Sequence, residues 1–269
     1  MSYLLSFSLP VAEAVEHVRR EQLEAAAADL RKRDVHEARK RLKKTRALLR
    51  LTRPAIAKGA FRAHNRALRD AGRALSGARD AEVMVETVDD LSERFPRRAN
   101  FAAVRQRLAM RVDEPPRATE LPSAPWQLDD LTADHLPKAL KRTYARGRHA
   151  FATADRDPTP EHLHEWRKRV KDLWYQEQLL EETWPGVVKA QAKEAKKLSK
   201  LLGEDHDLAV LSALVRDDPT LATLSGTLQD VIAERRGVLL ERSRALGLRV
   251  YAERPKHFAR RLGRYVALT

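Results

Sequence analysis

Two runs of side chains in this sequence carry the makings of an anion site. His36, Arg39, Lys40 and Lys43 stand at three- and four-residue spacing, and His164, Arg167, Lys168 and Lys171 repeat those types at that spacing 128 positions later. Lys and Arg offer charge-assisted hydrogen bonds to phosphate or carboxylate oxygens, and Arg presents its donors in a planar fork. Arg46 and Arg50 continue the first run. A further run, Arg62, Arg66, Arg69 and Arg73, is matched 127 positions later by Lys189, Lys193, Lys196 and Lys200. A solvated helix face normally mixes signs to gain i,i+4 pairs, whereas these stripes keep one sign at a repulsive cost. An anionic partner offsets that cost.

The elements that position these residues are helices. Ala, Leu, Arg, Glu and Lys dominate, and apolar residues recur every three or four positions. At 100° per residue, Val35, Ala38, Leu42, Thr45 and Leu49 form a core-facing stripe, with His36, Arg39, Lys40, Lys43, Arg46 and Arg50 on the stripe beside it. Glu37, Arg41 and Lys44 fall on the far side, towards solvent. In the twin, Leu163, Trp166, Val170 and Leu173 face the core and His164, Arg167, Lys168 and Lys171 form the basic stripe. Trp174 and Tyr175 then replace the expected charges, which leaves two readings: a platform under a cation, or closure of the core. Each histidine either donates to the anion or orients a neighbouring Arg.

In chain order, Pro10 opens a helix reaching about Arg31, and Asp34 is an N-cap for the helix that ends before Pro54. Helices follow over roughly Lys58 to Leu75, from an Asp80 cap to about Phe95, and from about Asn100 to Arg111. The segment 112–127 holds Pro115, Pro116, Pro122 and Pro125 and reads as a linker between a first bundle, 1–111, and a second, 128–269. In the second half, Leu136-Pro137 matches Leu9-Pro10, and the His164 helix stops before Pro185. A Lys-rich helix covers Val187 to Leu202, Gly203 breaks it, and Asp205 or Asp207 caps a helix ending at Pro219. A long helix from Leu221 to about Arg249 and a basic helix after Pro255 complete the chain. The expected fold is all-α, a single duplicated domain of two helical bundles related by a pseudo-twofold.

The 269 residues suffice for such cores. Lys plus Arg number 52 against 38 Asp plus Glu, a formal charge of +14, which favours a polyanion as partner. There is no cysteine, so disulfides, thiolate metal sites and Cys nucleophiles are excluded. The His residues lie among like charges and without a ligand at i+4, so no metal and no cofactor is expected. No apolar run approaches the ~18–20 residues of a membrane span. The expected location is cytoplasmic.

On His36-x-x-Arg39-Lys40-x-x-Lys43 and His164-x-x-Arg167-Lys168-x-x-Lys171, the chain resembles the CHAD family, the conserved histidine α-helical domain. The segments Ser76-Gly77-Ala78-Arg79-Asp80 and Leu202-Gly203-Glu204-Asp205-His206-Asp207, each after a basic helix, fit as well, and the resemblance spans nearly the whole chain. It implies two four-helix bundles with a basic groove or pore between them that binds inorganic polyphosphate, on granules of that polymer. The matching positions are His36, Arg39, Lys40, Lys43, His164, Arg167, Lys168 and Lys171. The runs starting at Arg62 and Lys189 extend the surface. Trp174 stands where the second motif commonly has Arg, and Glu204 and Asp205 add negative charge to the second glycine segment, so the two halves of the site are expected to differ.

Polyphosphate suits a basic channel on physical grounds, being a flexible chain of about one charge per phosphate that needs no base-shaped pocket. The main expectation is therefore binding without catalysis. The alternatives are a polyphosphate-processing enzyme, for which no acidic cluster facing the basic stripe and no P-loop is found, and an RNA- or DNA-binding helical protein. A membrane-surface role fits least, because the basic helices lack a wide apolar face.

Overall fold

A computed structural model of the chain describes residues 3–75, 77–110, 120–221 and 225–269, with the backbone alone at 77–81 and 225. Among the described residues it is all helical and has no strand. The α-helices are α1 (Val11–Arg31), α2 (Val35–Leu51), α3 (Lys58–Ala74), α4 (Gly77–Arg94), α5 (Phe101–Ala109), α6 (His135–Arg156), α7 (Pro160–Leu179), α8 (Pro185–Asp217), α9 (Ser225–Val250) and α10 (Pro255–Val266).

Local chemistry sets most of these boundaries. The Asp34 carboxylate accepts from the Glu37 amide at 3.0 Å, Asn100 does the same for Ala103 at 3.2 Å, and Thr159 for His162 at 3.2 Å. Pro160, Pro185 and Pro255 occupy the first turn of their helices, where a missing N–H costs nothing. The expected Asp80 cap does not start α4, whose backbone begins at Gly77. The side chains of Gly77 to Ala81, Ser76, and linker residues 112–119 lie outside the described residues.

One expectation fails outright. Gly203 does not end a helix: α8 runs unbroken for 33 residues, about 50 Å, so neither Asp205 nor Asp207 caps anything. A Cβ on Gly203 would stand 3.4 Å from the Arg167 Nε. The glycine admits an arginine against the helix rather than making a turn, and no described glycine has a positive φ.

The apolar interior forms two clusters. The larger joins α1, α2, α3, α6, α7, α10 and the start of α8, and includes Leu42, Leu49, Leu140, Trp166, Leu173 and Leu202. The smaller joins α4, α5, α9 and the end of α8, through Val88, Leu91, Val104, Leu211 and Leu239. Both halves of the chain contribute to both clusters, and α8 ties them together. Close approach tightens the larger one: a Cβ on Gly247 would lie 2.7 Å from the Trp166 ring. The N-terminal segment seals α2 against α7, with the Leu5 amide donating to the Leu179 carbonyl at 2.9 Å and the Tyr3 hydroxyl to the Lys44 carbonyl at 2.7 Å. The described end of the linker is also held, since Trp126 is buried and the Arg19 guanidinium lies 5.9 Å from its ring.

Candidate functional site

α2 and α7 pack directly on each other. The Gln176 amide of α7 donates to the Ala47 carbonyl of α2 at 3.1 Å, tying the C-terminal parts of the two helices together. α8 lies along α7, and α4 packs on α8. Between these four helices is a recess of about 970 Å³. Of the basic residues read from the sequence, His36, Arg39, Lys40, Lys43, Arg167, Lys171, Lys196 and Lys200 line it.

The others lie elsewhere. His164 stands one layer behind the wall, its ring 4.2 Å from that of His206, which does line the recess. Lys168 is held by Glu165 at 2.6 Å, as Lys40 is by Glu37 at 2.9 Å. Arg46 donates to Asn65 of α3 at 3.4 Å, and Arg50 pairs with Asp172 of α7 at 2.8 Å. The α3 stripe is not brought in. Arg62 and Arg66 border an open groove with Asp70, Arg69 pairs with Asp70 at 2.8 Å, and Arg73 is exposed. Lys189 and Lys193 are exposed nearer the start of α8.

The recess also holds residues that helical spacing assigned wrongly or left out. Lys44, placed on the solvent side by its angle, lines the recess with its ammonium 4.6 Å from the Tyr3 ring. The N-terminal segment that packs there has no counterpart in the α2 periodicity. A turn at Gly203 would have carried His206 off the stripe, whereas the unbroken α8 keeps it on. Extending the Lys196–Lys200 stripe through Gly203 by helical spacing reaches His206, Asp207 and Val210, all of which line the recess. Arg94 completes the set from α4. Tyr175 and Trp174 both border the recess, Tyr175 as a buried ring that closes the core beneath it and Trp174 with the Lys196 ammonium 5.6 Å from its ring. Each aromatic thus takes one of the two roles open to the pair.

Acids are present too, against expectation. Among the described residues, nine Lys and Arg side chains line the recess with four carboxylates, Glu86, Asp90, Glu204 and Asp207. α4 was read only as a capped helix, so its acids were not assigned to the basic stripe. Glu204 is held by Arg235 of α9 at 2.6 Å, and buried Asp205 faces Arg236 at 2.8 Å, so the negative charge expected of this segment is largely answered from α9. Among the described residues, no three His, Asp or Glu side chains gather closely enough to hold a metal ion.

Crowding marks the walls of the recess. Burial, then the charges of Lys43 and Arg167, push the Lys171 ammonium down to about 7. Burial and the neighbouring Lys40 and Arg41 bring Lys44 down to about 8. His206 is lowered to about 4, first by burial and then by His164 and Arg167, and His164 is lowered by burial and Lys168, so both imidazoles are neutral at pH 7. The Arg167 guanidinium is largely buried against Gly203, and its Nε has no hydrogen-bond partner. Such a site has cations forced together and donors unspent.

The CHAD domain family model matches residues 11–216. The chain belongs to the CHAD family. No curated protein matches it. The match stops at the end of α8, so it contains every recess-lining residue of this CHAD chain and leaves α9 and α10 outside. No helix among the described residues is long and apolar enough to cross a membrane.

Proposed function

We propose that this protein binds inorganic polyphosphate in the recess between α2, α7, α8 and α4, without catalysis, and that it serves to associate with or organise polyphosphate granules. The carrying observation is the convergence of Arg39, Lys40, Lys43, Lys44, Arg167, Lys171, Lys196 and Lys200 from three helices on one recess. A threaded phosphate chain meets donors on both sides. It also offsets the burial and the like-charge repulsion that lower Lys171 and Lys44. The packing of α2 on α7, twins in the sequence, supports a pseudo-twofold between the halves with this recess as the basic groove.

Affinity should fall steeply with salt through counterion release. Long-chain polyphosphate, labelled, is titrated over a salt series beside single-stranded nucleic acid. Tighter nucleic-acid binding at every salt would reject the proposal. The carboxylates in the recess give a second reading, a polyphosphate-processing enzyme, and phosphate release that needs a divalent metal would establish it.

A further inference from the structure

A second recess, of about 260 Å³, shares no lining residue with the first. It lies among α2, α3, α6 and α7. Its floor is a knot of ion pairs. Asp172 accepts from Arg50 at 2.8 Å through one oxygen and from Arg169 at 3.1 Å through the other, and these three side chains are 13%, 18% and 12% exposed. Both carboxylate oxygens are therefore engaged, and Arg169 also pairs with Glu165 at 2.7 Å, so the floor is answered from within the fold.

The rim adds Arg53, Arg142 and Arg146. Among the described residues, none of the three makes an ion pair. Arg142 and Arg146 stand one turn apart on α6, a like-charge spacing that destabilises a helix. Arg53 lies with its guanidinium 4.4 Å from the Phe61 ring, which leaves that aromatic face covered. Burial and the surrounding positive charges depress the guanidiniums of Arg53 and Arg146, the former through Arg142 and Arg62, the latter through Arg169 and Arg50. Nothing in the apolar packing needs this cluster, since Arg142 and Arg146 are exposed. With Arg50 and Arg169 answered by Asp172 and Glu165, the rim arginines Arg53, Arg142 and Arg146 form a set of forked donors without an acceptor of matching charge among the described residues.

We propose that this recess is a second anion site, which takes a compact oligophosphate on Arg53, Arg142 and Arg146 while Asp172 holds Arg50 and Arg169 in place as its floor. The volume lies below the ~300–1,000 Å³ of sites for drug-sized ligands, so a short, densely charged group fits where a folded chain does not. That chemistry is shared by free tripolyphosphate and by the triphosphate tail of a nucleotide. The inference uses none of the residues of the larger recess and stands or falls separately from the reading of that recess.

Tripolyphosphate and ATP are titrated calorimetrically against the full chain, against R142Q/R146Q and against K43M/K171M, with sodium sulfate at equal ionic strength as comparison. The Arg variant is expected to weaken the tighter of the two ligands by about tenfold or more and to leave long-chain polyphosphate within about threefold. The Lys variant should do the reverse. A tighter ATP identifies the nucleotide tail and a tighter tripolyphosphate the free anion, and both support the site. Affinity untouched by the Arg variant, equal loss in both variants (one continuous channel), or sulfate binding as tightly as either phosphate would overturn it. Because both substituted arginines are exposed, unchanged melting of R142Q/R146Q is expected, and R53Q gives an independent reading of the same rim.

Discussion

The two copies of the basic motif carry the same chemistry in different surroundings. His36, Glu37, Arg39, Lys40, Arg41 and Lys43 of α2 reappear without change as His164, Glu165, Arg167, Lys168, Arg169 and Lys171 of α7. Yet His36 and Lys43 are exposed where His164 and Lys171 are half-buried. The difference comes from what lies over each helix. α8 runs unbroken across α7 and lays Gly203, His206 and Asp207 beside it, whereas in the first half α3 ends at Ala74 and its basic face stays outside the recess. Duplication copies donors but not the dielectric around them. The proposed site therefore sets Lys171 in drier, more strongly repelling surroundings than its exposed twin Lys43, and in drier surroundings each charge counts for more. On α2, burial reaches Lys44 beside Tyr3 as well.

The sharpest way to break that comparison is to remove the twin arginines one at a time. Arg167→Met is expected to weaken long-chain polyphosphate binding by about 2–3 kcal/mol, the loss typical of a desolvated charge. Arg39→Met, at the twin position on α2, should cost below about 1 kcal/mol. Direct titration at fixed salt measures both. Equal losses would mean that burial does not separate the twins.

A second twin pair tests stability rather than binding. Buried Leu49 of α2 corresponds to Glu177 of α7, which is also buried, has one carboxylate oxygen without a hydrogen-bond partner, and is pushed up to about 8 by burial. A carboxyl raised in the folded state contributes fully below its unfolded value near 4.5 and loses that contribution as pH climbs through about 8. Glu177→Leu should therefore raise the melting temperature, by the equivalent of roughly 1–3 kcal/mol above pH 8 and by less at pH 5. Thermal melts across that range decide the matter, and a gap that shrinks with rising pH would contradict it.

Gly203 tests how Arg167 is held. Gly203→Leu pushes a side chain into the space the guanidinium occupies, and about a tenfold loss of polyphosphate affinity is expected with the helix intact. Gly237→Ala, in open space on α9, should leave affinity unchanged and add up to ~1 kcal/mol of helix stability. If Gly203→Leu binds like the parent, the glycine is not there for Arg167.

Much of this was legible in the chain. The helices, the Asp34 cap and the basic stripe of α2 follow from spacing and cap chemistry, because both are local. What spacing could not convey is which helices meet. The stripes of α3 and α8 match position for position, yet only Lys196 and Lys200 reach the recess, a result of tertiary packing that no single helix encodes. Lys44 was misplaced because the Tyr3 segment draws it in, and Glu86 and Asp90 were missed because α4 crosses from the second core cluster. Gly203 misled most. A glycine after a basic run reads as a stop, and only its neighbour Arg167 reveals it as a contact.

The smallest expected effect is also the one that separates the two lysines most cleanly. Burial and the charges of Lys43, Arg167 and Lys40, opposed by Asp207, bring the folded value of Lys171 to about 7 against an ordinary 10.5. Between those values the folded chain holds fewer protons than the unfolded one, so this group's contribution to stability rises with pH across that window. A bound phosphate chain reverses the balance by favouring the ammonium. Binding near pH 8 should then take up protons, and affinity should strengthen several-fold as pH falls from 9 to 6.5. Calorimetry in buffers of different ionisation enthalpy counts those protons. Lys171→Met should abolish most of the uptake, with the remainder belonging to Lys44 at about 8. Lys43→Met, at the exposed twin position, should weaken binding and reduce the proton uptake only in part, because burial is the larger cause of the Lys171 depression. Identical proton counts for the two variants would show that the crowding of the α7 wall is not what binding relieves.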